Sequence, residues 1–242
     1  MTASVILSIL SLYSAGFLFI WAGVCGWKRF GRDKGQRFFL AGLILVGATL
    51  GPMMGTRTIF GISGYHTVDF YLSIAGQFLV SLSMVCFALY FANKNLNSKH
   101  YQAAKKILFV AGGIFILMFF YGLWDNALVG PHVSKWGTEY EPVGYARVVI
   151  VSIWLLILAV SFYSLVHFVL KAFKNKTMAG IDLYINLIFF LFLLFFIPEE
   201  LGRMNTWKLV FSRVSSNAIA VSFYLVYTHN YLKEDKLLNN SE

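Results

Sequence analysis

Seven apolar runs dominate this chain, each near or above the roughly 20 residues that a helix rising 1.5 Å per residue needs to cross about 30 Å of hydrocarbon. They cover residues 3–27, 38–55, 70–92, 107–124, 145–170, 183–201 and 207–232. With 58% hydrophobic and 13% charged residues, the chain has too little polar surface to coat a soluble globule of its size. Backbone groups in hydrocarbon must be satisfied internally, and no alternating strand pattern recurs along the runs, so each run is expected to be a helix. The expected fold class is an all-α integral membrane protein, a seven-transmembrane-helix bundle over residues 1–232 with a short polar tail at 233–242.

Charge orients the bundle. The gaps after the first, third and fifth runs, with the tail, hold fourteen of the 20 Lys and Arg residues but only five of the 11 acids, so the whole net charge of +9 lies on one side. Lys and Arg resist translocation, which predicts that this side is cytoplasmic, with the N-terminus outside and the C-terminus inside. The expected location is a plasma or bacterial inner membrane. Nucleic acid is not expected as a partner, because the basic residues sit in short loops beside the membrane with no aromatic stripe to organise them. Contact with the lipid bilayer and its anionic headgroups accounts for them. Asn175-Lys176-Thr177 and Asn239-Asn240-Ser241 are glycosylation acceptor patterns on the predicted inner side and should stay unmodified. Cys25 and Cys86 fall toward the same side and read as packing residues.

Connections are short except for 125–144, an outer segment with Pro131 and Pro142 that is long enough to fold over the bundle as a lid. No soluble domain is attached to these runs, so a signal passed inward would need a cytoplasmic partner protein. Helices one to three and five to seven echo each other weakly. Lys28-Arg29-Phe30 matches Lys171-Ala172-Phe173, and Pro52 precedes Arg57 as Pro198 precedes Arg203. That spacing raises a three-plus-one-plus-three parallel repeat of the kind from which transporters are built.

Polar residues at membrane depth are costly, at roughly 2.5 to 3.5 kcal/mol each on insertion scales, so they mark sites. Arg213 lies about two turns into the last run, and Asn217 follows on the same helical face. Two readings compete: an ion pair of Arg213 with Glu199 or Glu200 that locks helices six and seven, or an arginine anchor for a carboxylate or phosphate with Asn217 as an added donor. Arg203, Trp124, Asp125, Arg147 and Gln77 complete the candidate ligand-binding set. Arg57, His66, Asp69, Asn126, His132, Trp136, Glu139 and Glu141 cluster with them at the outer helix ends. Four of these, His66, Asp69, His132 and Glu139, are metal-capable, but no His-x-x-x-His or Cys-x-x-Cys spacing occurs, and no metal is expected. His167 and His229 lie near the inner ends, where capping or interfacial burial explains them better than haem ligation, so no cofactor is expected.

The last run has no mid-helix lysine, which disfavours a retinal Schiff base. Trp124-Asp125-Asn126, Trp136 and Pro198-Glu199-Glu200 resemble the Trp-Asp…Trp and Pro-x-Glu-Glu elements of membrane-integral lycopene cyclases. Here the paired glutamates stand away from the tryptophan that they directly follow in that family. The resemblance implies a membrane-embedded enzyme acting on a lipid or isoprenoid, with Glu199 or Glu200 as the catalytic acid or base. Because the polar residues gather in the outer third, the leading expectation is a receptor-like protein. It would recognise a small anionic or amphiphilic ligand in an outward-facing pocket, with transport second and catalysis third.

Overall fold

The structure, a computed structural model, describes residues 3–30, 34–124, 128–134, 137–175, 187, 190 and 206–239. Among these, six helical rods account for nearly all of the chain: α1 (Ala3–Phe30), a composite rod of α2 (Lys34–Ala48), a π-helical segment (Thr49–Gly55) and α3 (Thr56–Ile62), then α4 (His66–Asn95), α5 (Ser98–Trp124), α6 (Gly144–Asn175) and α7 (Thr206–Asn239). Among the described residues, four stretches are long and apolar enough to cross a membrane: Ala3–Lys28, Gln36–Ile62, His66–Asn95 and Ile150–Lys171. The sixth predicted run, 183–201, falls outside the described residues except for Leu187 and Phe190, both helical. The predicted tail begins inside α7, which continues as helix to Asn239.

The expectation of an all-α chain fails in one place. Strands β1 (Leu128–Ser134) and β2 (Gly137–Pro142) pair antiparallel in the segment predicted as a lid. Pro131 and Pro142 cannot donate to a helical ladder, and a segment outside the apolar runs can satisfy its backbone across two strands instead. The register shifts between Val129 and His132, where Pro131 has no N–H to offer the ladder.

Helix α1 packs between α2 and α7, α2 packs on α4, and α4 carries both α5 and α6. Two devices hold the α1–α2 pair. Toward its middle the backbones nearly touch: a Cβ built on Gly16 would lie 2.5 Å from the Gly51 nitrogen and 2.8 Å from the Gly47 carbonyl oxygen. Gly47, Gly51 and Gly55 recur every four residues, the small-residue spacing that lets membrane helices approach closely. Toward the basic end the contact is aromatic. Phe39 is fully buried, with ring centroids at 4.8 Å from Tyr90, 5.3 Å from Phe87 and 5.4 Å from Phe223, which joins α2, α4 and α7. Such ring pairs add about 0.5 to 1.5 kcal/mol each beyond the area they bury. The outer surfaces of the rods remain apolar, with Leu7, Phe17, Val110, Leu117, Leu170 and Phe173 all exposed. A bilayer covers such a surface at no cost, whereas water does not.

Candidate functional site

Pro52 removes one backbone donor from the composite rod, and the π-helical register from Thr49 to Gly55 takes up the break without ending the helix. Helix therefore resumes at Thr56 and carries Arg57 beyond the predicted end of the second run. A tight turn follows. Gly64 has φ of 84°, a left-handed conformation that a side chain would strain, and it reverses the chain so that α4 starts at His66. Asp69 then falls in the first turn of α4, where the N-terminal end of a helix favours a carboxylate.

The turn brings these two ionisable residues together. Arg57 donates from Nε to Asp69 Oδ1 at 2.9 Å, with the arginine side chain 10% exposed and the aspartate completely buried. Arg57 Nη1 also points at the Met54 thioether sulfur at 3.6 Å, a weak acceptor. The hairpin covers the pair. β2 packs against α3, the Tyr140 ring lies 5.4 Å from the guanidinium carbon, and the same ring meets Phe70 edge-on at 5.6 Å. The Tyr140 hydroxyl donates to the His66 carbonyl at 3.1 Å.

That hydroxyl has one proton and two claimants. Burial pushes the Tyr140 pKa up to about 12, helped by the charge of Asp69 and by its hydrogen bonding with the hydroxyl, while Arg57 opposes the shift. With the proton directed to His66, Asp69 Oδ2 is buried without a well-formed hydrogen bond. Farther along the hairpin, Arg147 meets Glu141 at 3.7 Å, but both side chains are partly exposed and such a pair is worth at most about 1 kcal/mol.

The remaining sequence candidates are dispersed. Arg213 is half-buried on α7, and Asn217 lies one turn on, donating to the Arg213 carbonyl at 2.9 Å. The Asn217 amide is also clasped by α1: its nitrogen donates to Ser11 Oγ at 2.7 Å, and its oxygen accepts from Ser14 Oγ at 2.7 Å. Its amide donors are therefore spent within the protein. Gln77 is half-buried in the middle of α4, Arg147 is exposed in the first turn of α6, and Trp124 closes α5. Glu199, Glu200, Arg203 and Asp125 lie outside the described residues. His66 and Asp69 share a helix, but His66 is exposed and Asp69 is buried. His132 and Glu139 are register partners across the hairpin. No group of three or more metal-capable side chains occurs among the described residues.

Sequence reasoning had Arg57 and Asp69 in one region but did not pair them, and it missed Tyr140, Ser11, Ser14 and the glycine contact. Two signals were available. An Arg and an Asp bracketing a Ser-Gly turn can meet across a helical hairpin, and glycines four apart in an apolar run mark a close helix approach. Fold and site together describe a multi-pass helical membrane protein with a charged pair sealed under a hairpin. No known protein family, curated protein or solved structure matches the chain.

Proposed function

We propose that this chain is a receptor-like protein with seven membrane spans, its N-terminus outside and its C-terminus in the cytoplasm. It recognises a small anionic or amphiphilic molecule at the outer end, beneath the hairpin. One observation carries this reading: a nearly buried arginine, Arg57, is covered by an aromatic ring on a hairpin instead of by the bundle itself. A hairpin docked through the Tyr140 ring, which meets Arg57 and Phe70, and the Tyr140 hydrogen bond to His66 can move more easily than a packed rod. A carboxylate or phosphate arriving there would replace the ring and the Met54 sulfur with a charge-assisted contact, while Asp69 keeps the guanidinium oriented through Nε. Arg213, with Glu199, Glu200 and Arg203, is the second anchor in this reading, and the signal leaves through a cytoplasmic partner.

Transport is the alternative that has an observation behind it. Ser161 and Ser164 are buried on α6 with hydroxyls lacking hydrogen-bond partners among the described residues, and Gln77 and Ser81 add polar groups on α4. Polar groups at mid-membrane depth are what a solute path requires. Carboxylate catalysis by Glu199 or Glu200 ranks third.

The test is mass spectrometry of the detergent-purified protein and two variants. The wild type is expected to retain an organic anion. Arg57→Lys keeps the charge opposite Asp69 but loses the planar fork, so retention should fall about ten-fold, the equivalent of about 1.4 kcal/mol. Tyr140→Ala should raise the exchange rate of the anion without removing its site. Absence of any bound anion, or equal retention by Arg57→Lys, overturns the reading, and uptake of the anion into proteoliposomes moves the protein to the transport class.

A further inference from the structure

The ends of α4, α5 and α6 away from the hairpin carry lysines and no acids of their own. Residues 70–124 and 142–181 contain no Asp or Glu, yet they carry Lys94, Lys99, Lys105, Lys106, Lys171 and Lys174 at those ends. Lys94 donates to the Tyr90 hydroxyl at 3.3 Å, and Lys105 sits over the Phe109 ring at 5.8 Å.

A ladder of hydrogen-bonding rings runs through the same region. His100, in the first turn of α5, meets the Tyr163 hydroxyl of α6 through Nδ1 at 3.4 Å, with ring centroids 6.2 Å apart. Tyr163 in turn stacks on His167, one helical turn farther along, at 6.4 Å and an interplanar angle of 30°. Lys99 adjoins His100, and Lys171 follows His167 by one more turn on the same side of α6. All three members of the ladder are at least partly exposed, as are both lysines. The surface along them is apolar: Ile107 on α5, two turns from His100 on the same face, and Val166 and Leu170 on α6 are exposed.

Polar rings and ammonium groups at the rim, with an apolar wall beside them, match the two halves of one kind of molecule. We propose that this α5–α6 surface is a binding site for an anionic phospholipid. The headgroup phosphate is taken by His100, Tyr163 and His167 with Lys99 and Lys171, and the acyl chains lie along the apolar wall. The ladder rings are held by each other, so little side-chain entropy is lost when a phosphate oxygen is bound. Each nearby Lys adds roughly 1 kcal/mol of attraction to an anionic surface, or about five-fold in affinity. This site is independent of the outer reading and rests only on membrane embedding.

The experiment offers the delipidated full-length protein an equimolar mixture of phosphatidylglycerol and phosphatidylcholine and counts retained lipid by native mass spectrometry. Wild type should retain phosphatidylglycerol at least about five-fold over phosphatidylcholine. The double variant His100→Gln with His167→Gln should bring that preference close to unity, whereas Lys208→Gln, at the other end of the bundle, should leave it unchanged. Tyr163→Phe keeps the ring packing and loses only the hydroxyl, and should lower the preference about two-fold even where the double variant folds poorly. A wild type without preference, or a Tyr163→Phe protein identical to it, overturns the site. Complete displacement of phosphatidylglycerol by excess inorganic phosphate would assign the ladder to free phosphate and likewise overturn the lipid assignment.

Discussion

The two ends of this bundle handle charge in opposite ways. At the hairpin end, Arg57 is held by Asp69 and Arg147 by Glu141, and a protein lid closes over the first pair. At the basic end, six lysines of α4, α5 and α6 lie in stretches of sequence, residues 70–124 and 142–181, that contain no acid. A buried charge must find its counter-ion inside the protein, because the apolar surroundings supply none. An exposed charge at a membrane rim can leave that task to water, salt and lipid headgroups. The difference teaches that the hairpin end is built for internal closure and the basic end for external contact.

The largest effect expected from this contrast is at the closed end. Asp69→Asn removes the carboxylate that accepts from the buried Arg57 Nε and should destabilise the protein by about 3 to 5 kcal/mol. Joining it with Arg57→Met should restore a substantial part of the loss, as read by thermal unfolding in detergent. Removing a lysine at the open end, as in Lys99→Gln, should change stability by no more than about 0.5 kcal/mol. Equal losses at the two ends would erase the distinction.

A smaller effect separates charge from packing. Gly16→Ala puts a methyl 2.5 Å from the Gly51 backbone, which cannot yield, and should cost about 1 to 3 kcal/mol. Gly51→Ala meets nothing closer than 3.5 Å and should be nearly silent in the same unfolding measurement. The order of these two variants depends on contacts between α1 and α2, so it should hold at any salt concentration. The lipid preference at the open end should instead decline with salt.

The smallest effect is a pH dependence at the lid. The Tyr140 pKa is raised from 10.0 to about 12, so the docked hairpin favours the neutral phenol. Its contribution is complete below about pH 10 and is lost as pH rises through about 12. Hydrogen exchange of residues 128–142, expressed relative to the base-catalysed intrinsic rate at each pH, should therefore be flat up to that window and accelerate within it. Tyr140→Phe should remove the acceleration, and an unchanged profile in that variant would detach the hairpin from Tyr140.

How much of this was legible follows the same physics. Helix in the runs described was readable because hydrocarbon allows a spanning segment no other backbone arrangement with internal hydrogen bonds. Apolar periodicity could not have located Arg57, because helix continues past the last apolar residues of its run through the π-register at Pro52. The hairpin was hidden for a related reason. Its residues read as a loop with two prolines, and strand pairing is a relation between segments that neither segment carries alone. The sequence places Asn217 on the same helical face as Arg213, but its partners, Ser11 and Ser14, lie at the far end of the chain, and no local pattern links them.

Hydropathy and charge are properties of individual residues, and they sum along the chain. The sequence therefore specified membrane-length apolar helices and the grouping of lysines at the ends of α4, α5 and α6. Pairing depends on distance in space. That Asp69 holds Arg57, that Tyr140 covers them both, that Gly16 lies on Gly51, and that His100 meets Tyr163 were decided only when the helices packed, because each contact joins residues that the chain keeps at least one turn or one helix apart.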